Sequence, residues 1–130
     1  MDSKDLSYKI SKHIFNKKGY EVKIMDLRNI TAITDYFVIC SADSGTQVKA
    51  IADEVDERLS EEGIKCYHKE GYKALNWVLI DYVDVVVHVF KKDAREFYKL
   101  EKLWGDASVE DVEDPGAGEP KTQRVKSAQK

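Results

Sequence analysis

The stretch Trp77-Val-Leu-Ile-Asp-Tyr-Val-Asp-Val-Val-Val-His-Val-Phe90 decides the fold of this chain. From 83 to 90 it is apolar on both alternating faces, so both faces must be covered and the segment is a central strand. The apolar run 77–80 before it is a second strand. Only residues 81–84 join the two, which makes them an antiparallel hairpin. The turn lacks the glycine that such connections usually carry.

Outward from the hairpin the period changes. Ser44 with Gln47 three residues later is a capping-box start. Val48, Ile51, Ala52, Val55 and Leu59 follow at helical spacing, and Gly63 stands at the far end. Residues 36–41 (YFVICS) are aromatic and β-branched enough for a buried strand, and 22–27 and 64–69 are two further strands. Leu6, Ile10 and Ile14 recur at helical spacing after a Ser3/Asp5 start, with Gly19 as a left-handed stop. Asp93 and Glu96 open a last helix that carries Phe97, Leu100 and Trp104 on one side. The order is α-β-β-α-β-β-β-α. This is an α/β fold with a mixed sheet of about five strands flanked by helices.

At 130 residues the chain has room for one domain. No apolar run approaches the roughly 18 residues of a membrane helix. The first residues, MDSKDLSYKI, have neither an apolar signal core nor an Arg-rich transit character, which predicts a cytoplasmic protein. Cys40 and Cys66 make no disulfide framework and suit a reducing compartment. A net charge of −3 argues against a general nucleic-acid binder. Residues 1–105 are near neutral, with 17 basic and 18 acidic side chains. Beyond them lie an acidic run and then a basic one, few large apolar residues, and Pro115, Gly116, Gly118 and Pro120. The composition predicts a folded domain over 1–106 and a disordered acidic-then-basic tail over 107–130.

Few side chains arrange themselves for chemistry. His13, His68 and His88 have no nucleophile elbow to serve, and His88 on the central strand reads as a buried, hydrogen-bonded residue. Cys66 with His68, or Cys40 with His88, lacks the ligand spacing of a zinc site. Asp81 and Asp84 bracket the hairpin turn and, with His88, are the candidates for a metal-dependent phosphoryl-transfer enzyme. Aspartates in such turns also bond their own backbone. The loop 41–46 has one glycine and an acid that repels phosphate, so it makes a poor nucleotide cradle. What remains is a set of polar-tipped aromatics, Tyr72, Trp77, Tyr82, Tyr98 and Trp104, which serve equally as core or as binding anchors.

The quoted stretch resembles a signature of the ribosomal silencing factor family, also called Iojap-like. A second signature is similar to Ala94-Arg-Glu-Phe-Tyr-Lys-Leu-Glu-Lys-Leu-Trp-Gly-Asp-Ala107, and Thr34-Asp-Tyr-Phe-Val-Ile-Cys-Ser41 and Gln47-Val-Lys-Ala-Ile-Ala-Asp53 match as well. The family pattern reads GW…DYGDVVVH; here Asn76 and Val83 replace the two glycines, and a β-branched residue at positive φ is strained. The resemblance implies a nucleotidyltransferase-like fold without the catalytic acids' motif, hence a binding protein with no cofactor and no metal. It implies docking on the large ribosomal subunit through large-subunit ribosomal protein fourteen, with a steric block to joining of the small subunit. It also implies a homodimer when free, no membrane and no sequence-specific nucleic-acid contact. Trp77, Leu79 and Tyr82 are then the apolar anchor, Asp81 and Asp84 complement a basic partner, and His88 completes the contact set. Val78 and Ile80 face the core in that phase. The rival remains a nucleotidyltransferase-like metal enzyme using Asp81 and Asp84.

Overall fold

In a computed structural model that describes residues 1–115, the chain opens with α1 (Ser3–Asn16), β1 (Tyr20–Asp26), β2 (Tyr36–Ala42) and α2 (Gly45–Glu61). It continues through β3 (His68–Glu70), β4 (Trp77–Asp81) and β5 (Val85–Lys91), then α3 (Lys92–Tyr98), α4 (Leu100–Leu103) and β6 (Ser108–Val112). The strands form one six-stranded sheet in the order β3-β4-β5-β2-β1-β6. β4 and β5 are the antiparallel hairpin, pairing Trp77 with Phe90 and Leu79 with His88. β5 runs parallel to β2, and the other pairs are antiparallel. β2 and β5 are buried along almost their whole length, as their two-sided apolar sequence requires.

Both long helices start as their sequences dictate. The Asp2 carboxylate accepts from the Asp5 N–H at 2.8 Å, and Ser44 Oγ accepts from the Gln47 N–H at 3.2 Å. Gln47 reaches back to the Asp43 N–H and also donates to the Lys17 and Lys18 carbonyls, which ties α2 to the end of α1. The left-handed residue after α1 is Lys18 (φ 67°) and not the predicted Gly19. Gly19 is needed for space: a β-carbon there would stand 2.3 Å from the Ile14 side chain.

α1 and α2 lie on one face of the sheet. Ile10, Ile14, Val48, Ile51, Val55 and Leu59 meet Val38, Cys40, Val78, Ile80, Val87 and Val89, all fully buried. The opposite face carries Met25, Leu27, Phe37, Ile39, Val86 and Phe90 and, among the described residues, is covered by α3, α4 and their flanks.

Three expectations need correction. The first strand after α2 is short, His68–Glu70 in place of 64–69, and lies exposed at the sheet edge. The last helix is broken at Lys99 (φ 50°) into α3 and α4. The predicted tail is ordered at its start, because β6 pairs along β1 from Asp26↔Ser108 to Val22↔Val112. An edge strand is held by backbone hydrogen bonds and requires little apolar surface, so a composition test overlooks it. Here Val112 packs on the helix-side core, Lys23 pairs with Asp111 at 2.7 Å, and the Tyr8 hydroxyl donates to Glu110. The rest of the predicted tail, 116–130, lies outside the described residues.

Candidate functional site

Strand alternation sorts the hairpin side chains. Val78 and Ile80 point into the helix-side core, and Trp77, Leu79 and Asp81 stand on the other face, each half-buried. Their cross-strand neighbours there are Phe90, His88 and Val86. The result is an aromatic sheet surface. Trp77 stacks on Phe90 with ring centroids 4.8 Å apart and meets Tyr98 of α3 at 4.9 Å. Phe37 meets His88 edge to face at 4.5 Å and Trp104 at 5.5 Å. Beyond this patch, α3 and α4 hold Phe97, Tyr98 and Leu103 out to solvent, with Phe97 78% and Leu103 75% exposed.

His88 is 3% exposed and presents no surface to a partner. Its Nδ1 accepts from the Trp77 Nε1–H at 3.0 Å, which puts the imidazole proton on Nε2. That Nε2 is buried without a hydrogen-bond partner. Burial pushes the imidazole pKa down to about 3, so the ring stays neutral and keeps its acceptor toward Trp77. Held by this bond and by Phe90, the indole is oriented in advance.

Tyr82 does not belong to the anchor. It is buried on the helix side, where its hydroxyl lies 3.4 Å from Asp56 Oδ1, and burial raises its pKa. Tyr82 continues the alternation of Val78 and Ile80, so strand parity itself puts it on the helix side, and grouping it with Trp77 and Leu79 breaks that parity. Asp81 Oδ1 accepts from the Val83 N–H at 2.7 Å, an Asx turn. Val83 takes the strained left-handed conformation (φ 74°) at the exposed tip. The Asp84 side chain is exposed, and its carbonyl accepts from the Asp35 and Tyr36 N–H groups, joining the hairpin turn to the start of β2. Asp81 thus holds a turn. Among the described residues no group of three or more His, Cys, Asp or Glu side chains is placed to hold a metal ion.

Phe97 and Leu103 escaped the sequence reading. Phe97 belongs there to the apolar side of one continuous helix, together with Leu100 and Trp104. The break at Lys99 leaves Leu100 buried and turns Phe97 outward. A β-branch-free run such as 96–103 carries no signal for that break.

Comparison with known proteins accords with this architecture. The family described as "Ribosomal silencing factor during starvation" matches residues 1–130. The ribosomal silencing factor RsfS of Bacillus subtilis is 45% identical over 98 residues, 75% of this chain and 83% of that protein. A mouse protein named for mitochondrial assembly of the ribosomal large subunit is 36% identical over 83 residues, 60% of this chain and 36% of its own length. A crystal structure of a Chromobacterium violaceum protein superposes with a TM-score of 0.78 at 33% identity, covering 81% of this chain and 88% of that one. The match along the whole chain and the shared fold place this protein in the ribosomal silencing factor family, whose role is regulatory and not enzymatic.

Proposed function

We propose that the aromatic face built on Trp77 and Leu79 docks this protein on the large ribosomal subunit, through large-subunit ribosomal protein fourteen, and that its bulk then blocks joining of the small subunit. The observation that carries this reading is the half-covered sheet surface. Trp77 is fixed in orientation by His88 and Phe90 and is continuous with exposed Phe97, Tyr98 and Leu103. Large aromatics held rigid before binding lose little entropy on docking and make strong anchors. Asp81 and Asp84 at the end of the hairpin give the patch an acidic rim that complements a basic ribosomal protein. A steric mechanism requires only affinity and position. The free chain acts in the cytoplasm as a homodimer on the same reading. The large-subunit partner is supported by family membership and by the name of the mouse relative. The enzymatic alternative loses ground because Asp81 is engaged with the Val83 N–H.

Sucrose-gradient sedimentation with separated subunits tests the proposal. The expected result is co-migration with the large subunit and a reduced yield of joined ribosomes. Equal binding to both subunits, or none, removes it.

A further inference from the structure

The two parallel strands send their chains to opposite faces: β2 leads into α2 on one side and β5 leads into α3 on the other. Adjacent parallel strands whose connections diverge leave a crevice outside their carboxyl ends, the place where open α/β sheets bind ligands. Such a crevice exists here, about 330 Å³ in volume, bounded by Ser41 near the end of β2, by α3 and α4, and by the start of β1.

Its floor is Arg95, 8% exposed. The guanidinium donates to the Glu21 carbonyl at 2.7 Å, to Ser41 Oγ at 2.8 Å and to both carboxylate oxygens of Glu101. Arg95 is therefore a brace that ties β1, β2 and α4 together. Above it stand Lys92, Lys99 and Lys102, exposed and without an ion pair among the described residues. Of the acids around the crevice, Glu101 is neutralised by Arg95, and Glu21 and Glu96 remain at the rim. Lys23 completes the lining and is paired with Asp111. Two lining residues, Glu21 (φ 49°) and Lys99 (φ 50°), hold left-handed backbone without being glycine. Such strain persists where the surroundings impose it, and it gathers at functional sites.

We propose that the crevice binds the phosphate backbone of RNA, with Lys92, Lys99 and Lys102 contacting phosphates and Arg95 holding them in place. Every lining residue is polar or charged, so there is no aromatic or aliphatic platform on which a base can stack. A mononucleotide site needs such a platform, whereas a backbone contact does not. Contacts of this kind position a protein without reading sequence. Assigning the strand to ribosomal RNA rests on the function proposed above; phosphate recognition itself does not.

The full-length chain titrated at low salt with short single-stranded RNAs of two unrelated sequences, and separately with uridine triphosphate, decides the matter by backbone amide NMR. The expected result is saturable shifts at Ser41 and across 92–102, alike for both RNAs, much weaker for the mononucleotide, and lost in the triple variant Lys92→Gln/Lys99→Gln/Lys102→Gln. A thermal melt of that variant should match the parent, since all three side chains are exposed. Glu96→Gln, which removes a rim carboxylate, should tighten binding. Absent shifts, shifts located elsewhere, unchanged binding by the triple variant, or a mononucleotide bound as tightly as RNA each overturn the proposal. A second measurement addresses the ribosome. The slope of log affinity for the large subunit against log salt should flatten by about 0.7–1 for each lysine that contacts a phosphate, while Trp77→Ala lowers affinity at constant slope. If the parent does not bind the subunit, the ribosomal reading falls and the RNA titration still judges the crevice. A subunit that binds with an unchanged slope in the triple variant rejects the ribosomal assignment of the crevice alone.

Discussion

The two faces of the sheet are built to different standards. Under α1 and α2, aliphatic side chains from Ile10 to Val89 are removed from water almost without remainder. Under α3 and α4, a patch of rings is only partly covered, and Trp77, Leu79 and Trp104 keep some exposure. Two helices of 14 and 17 residues cover the first face, and pieces of 7 and 4 residues cover the second. Short helices contribute little stability of their own and leave their neighbours incompletely shielded. The difference teaches that this protein places its stability on one side of the sheet and leaves the other side open, the face proposed above as its contact surface.

The hardest test of that division is a cavity in the closed face. Ile51→Ala should lower the unfolding free energy by about 2–5 kcal/mol, read from denaturant melts, without changing the affinity of the folded fraction for large subunits. Trp77→Ala is its counterpart. It should weaken subunit binding by roughly 2 kcal/mol, about thirtyfold, and depress the melt less than Ile51→Ala does. If both variants unfold the chain equally, both faces are core and the contact surface lies elsewhere.

The pH dependence of stability sharpens the comparison at the bond that holds Trp77. His88 has its ordinary value of 6.5 in the unfolded chain and is pushed down to about 3 on folding. A lowered histidine means that the unfolded chain binds the proton first, so stability is full above 6.5 and is lost as pH falls from 6.5 toward 3. At roughly 1.4 kcal/mol per pH unit, this group should remove about 2 kcal/mol between pH 6.5 and 5. His13, whose value burial also lowers, adds in the same direction. His88→Asn retains a side-chain acceptor but cannot titrate, and its stability should fall less steeply across that window. A parallel fall in both proteins would assign the loss to other groups.

The smallest effect belongs to the tip of the hairpin. Val83→Gly should raise stability by about 1 kcal/mol, because glycine takes φ 74° without steric strain and the gain exceeds its entropic cost. An unchanged or lower melting midpoint would show that Asp81 already relieves the turn.

By itself the sequence determined the parts whose signals are local. The period of Val48 to Leu59 and the Ser44–Gln47 cap made α2, the two-sided apolar run made β5 central, and the short link to β4 made a hairpin. It also exposed Val83 as a strained replacement and carried the family motifs. Tertiary structure alone decided the rest, since those outcomes depend on partners distant along the chain. β6 exists because the free edge of β1 offers it backbone hydrogen bonds, a condition that composition does not register. Tyr82 shares the parity of Val78 and Ile80, but that its hydroxyl meets Asp56 depends on α2 packing over this end of the sheet. Phe97 faces water because Lys99 breaks the helix where the Arg95 brace holds Glu101. The lysine crevice arises only when parallel strands far apart in sequence lie side by side and send their helices to opposite faces, as the pairing of Ser41 with Phe90 and of Tyr36 with Val85, each 49 positions apart, shows. Local periodicity can specify an element, but only the assembled sheet decides which of its surfaces remain uncovered.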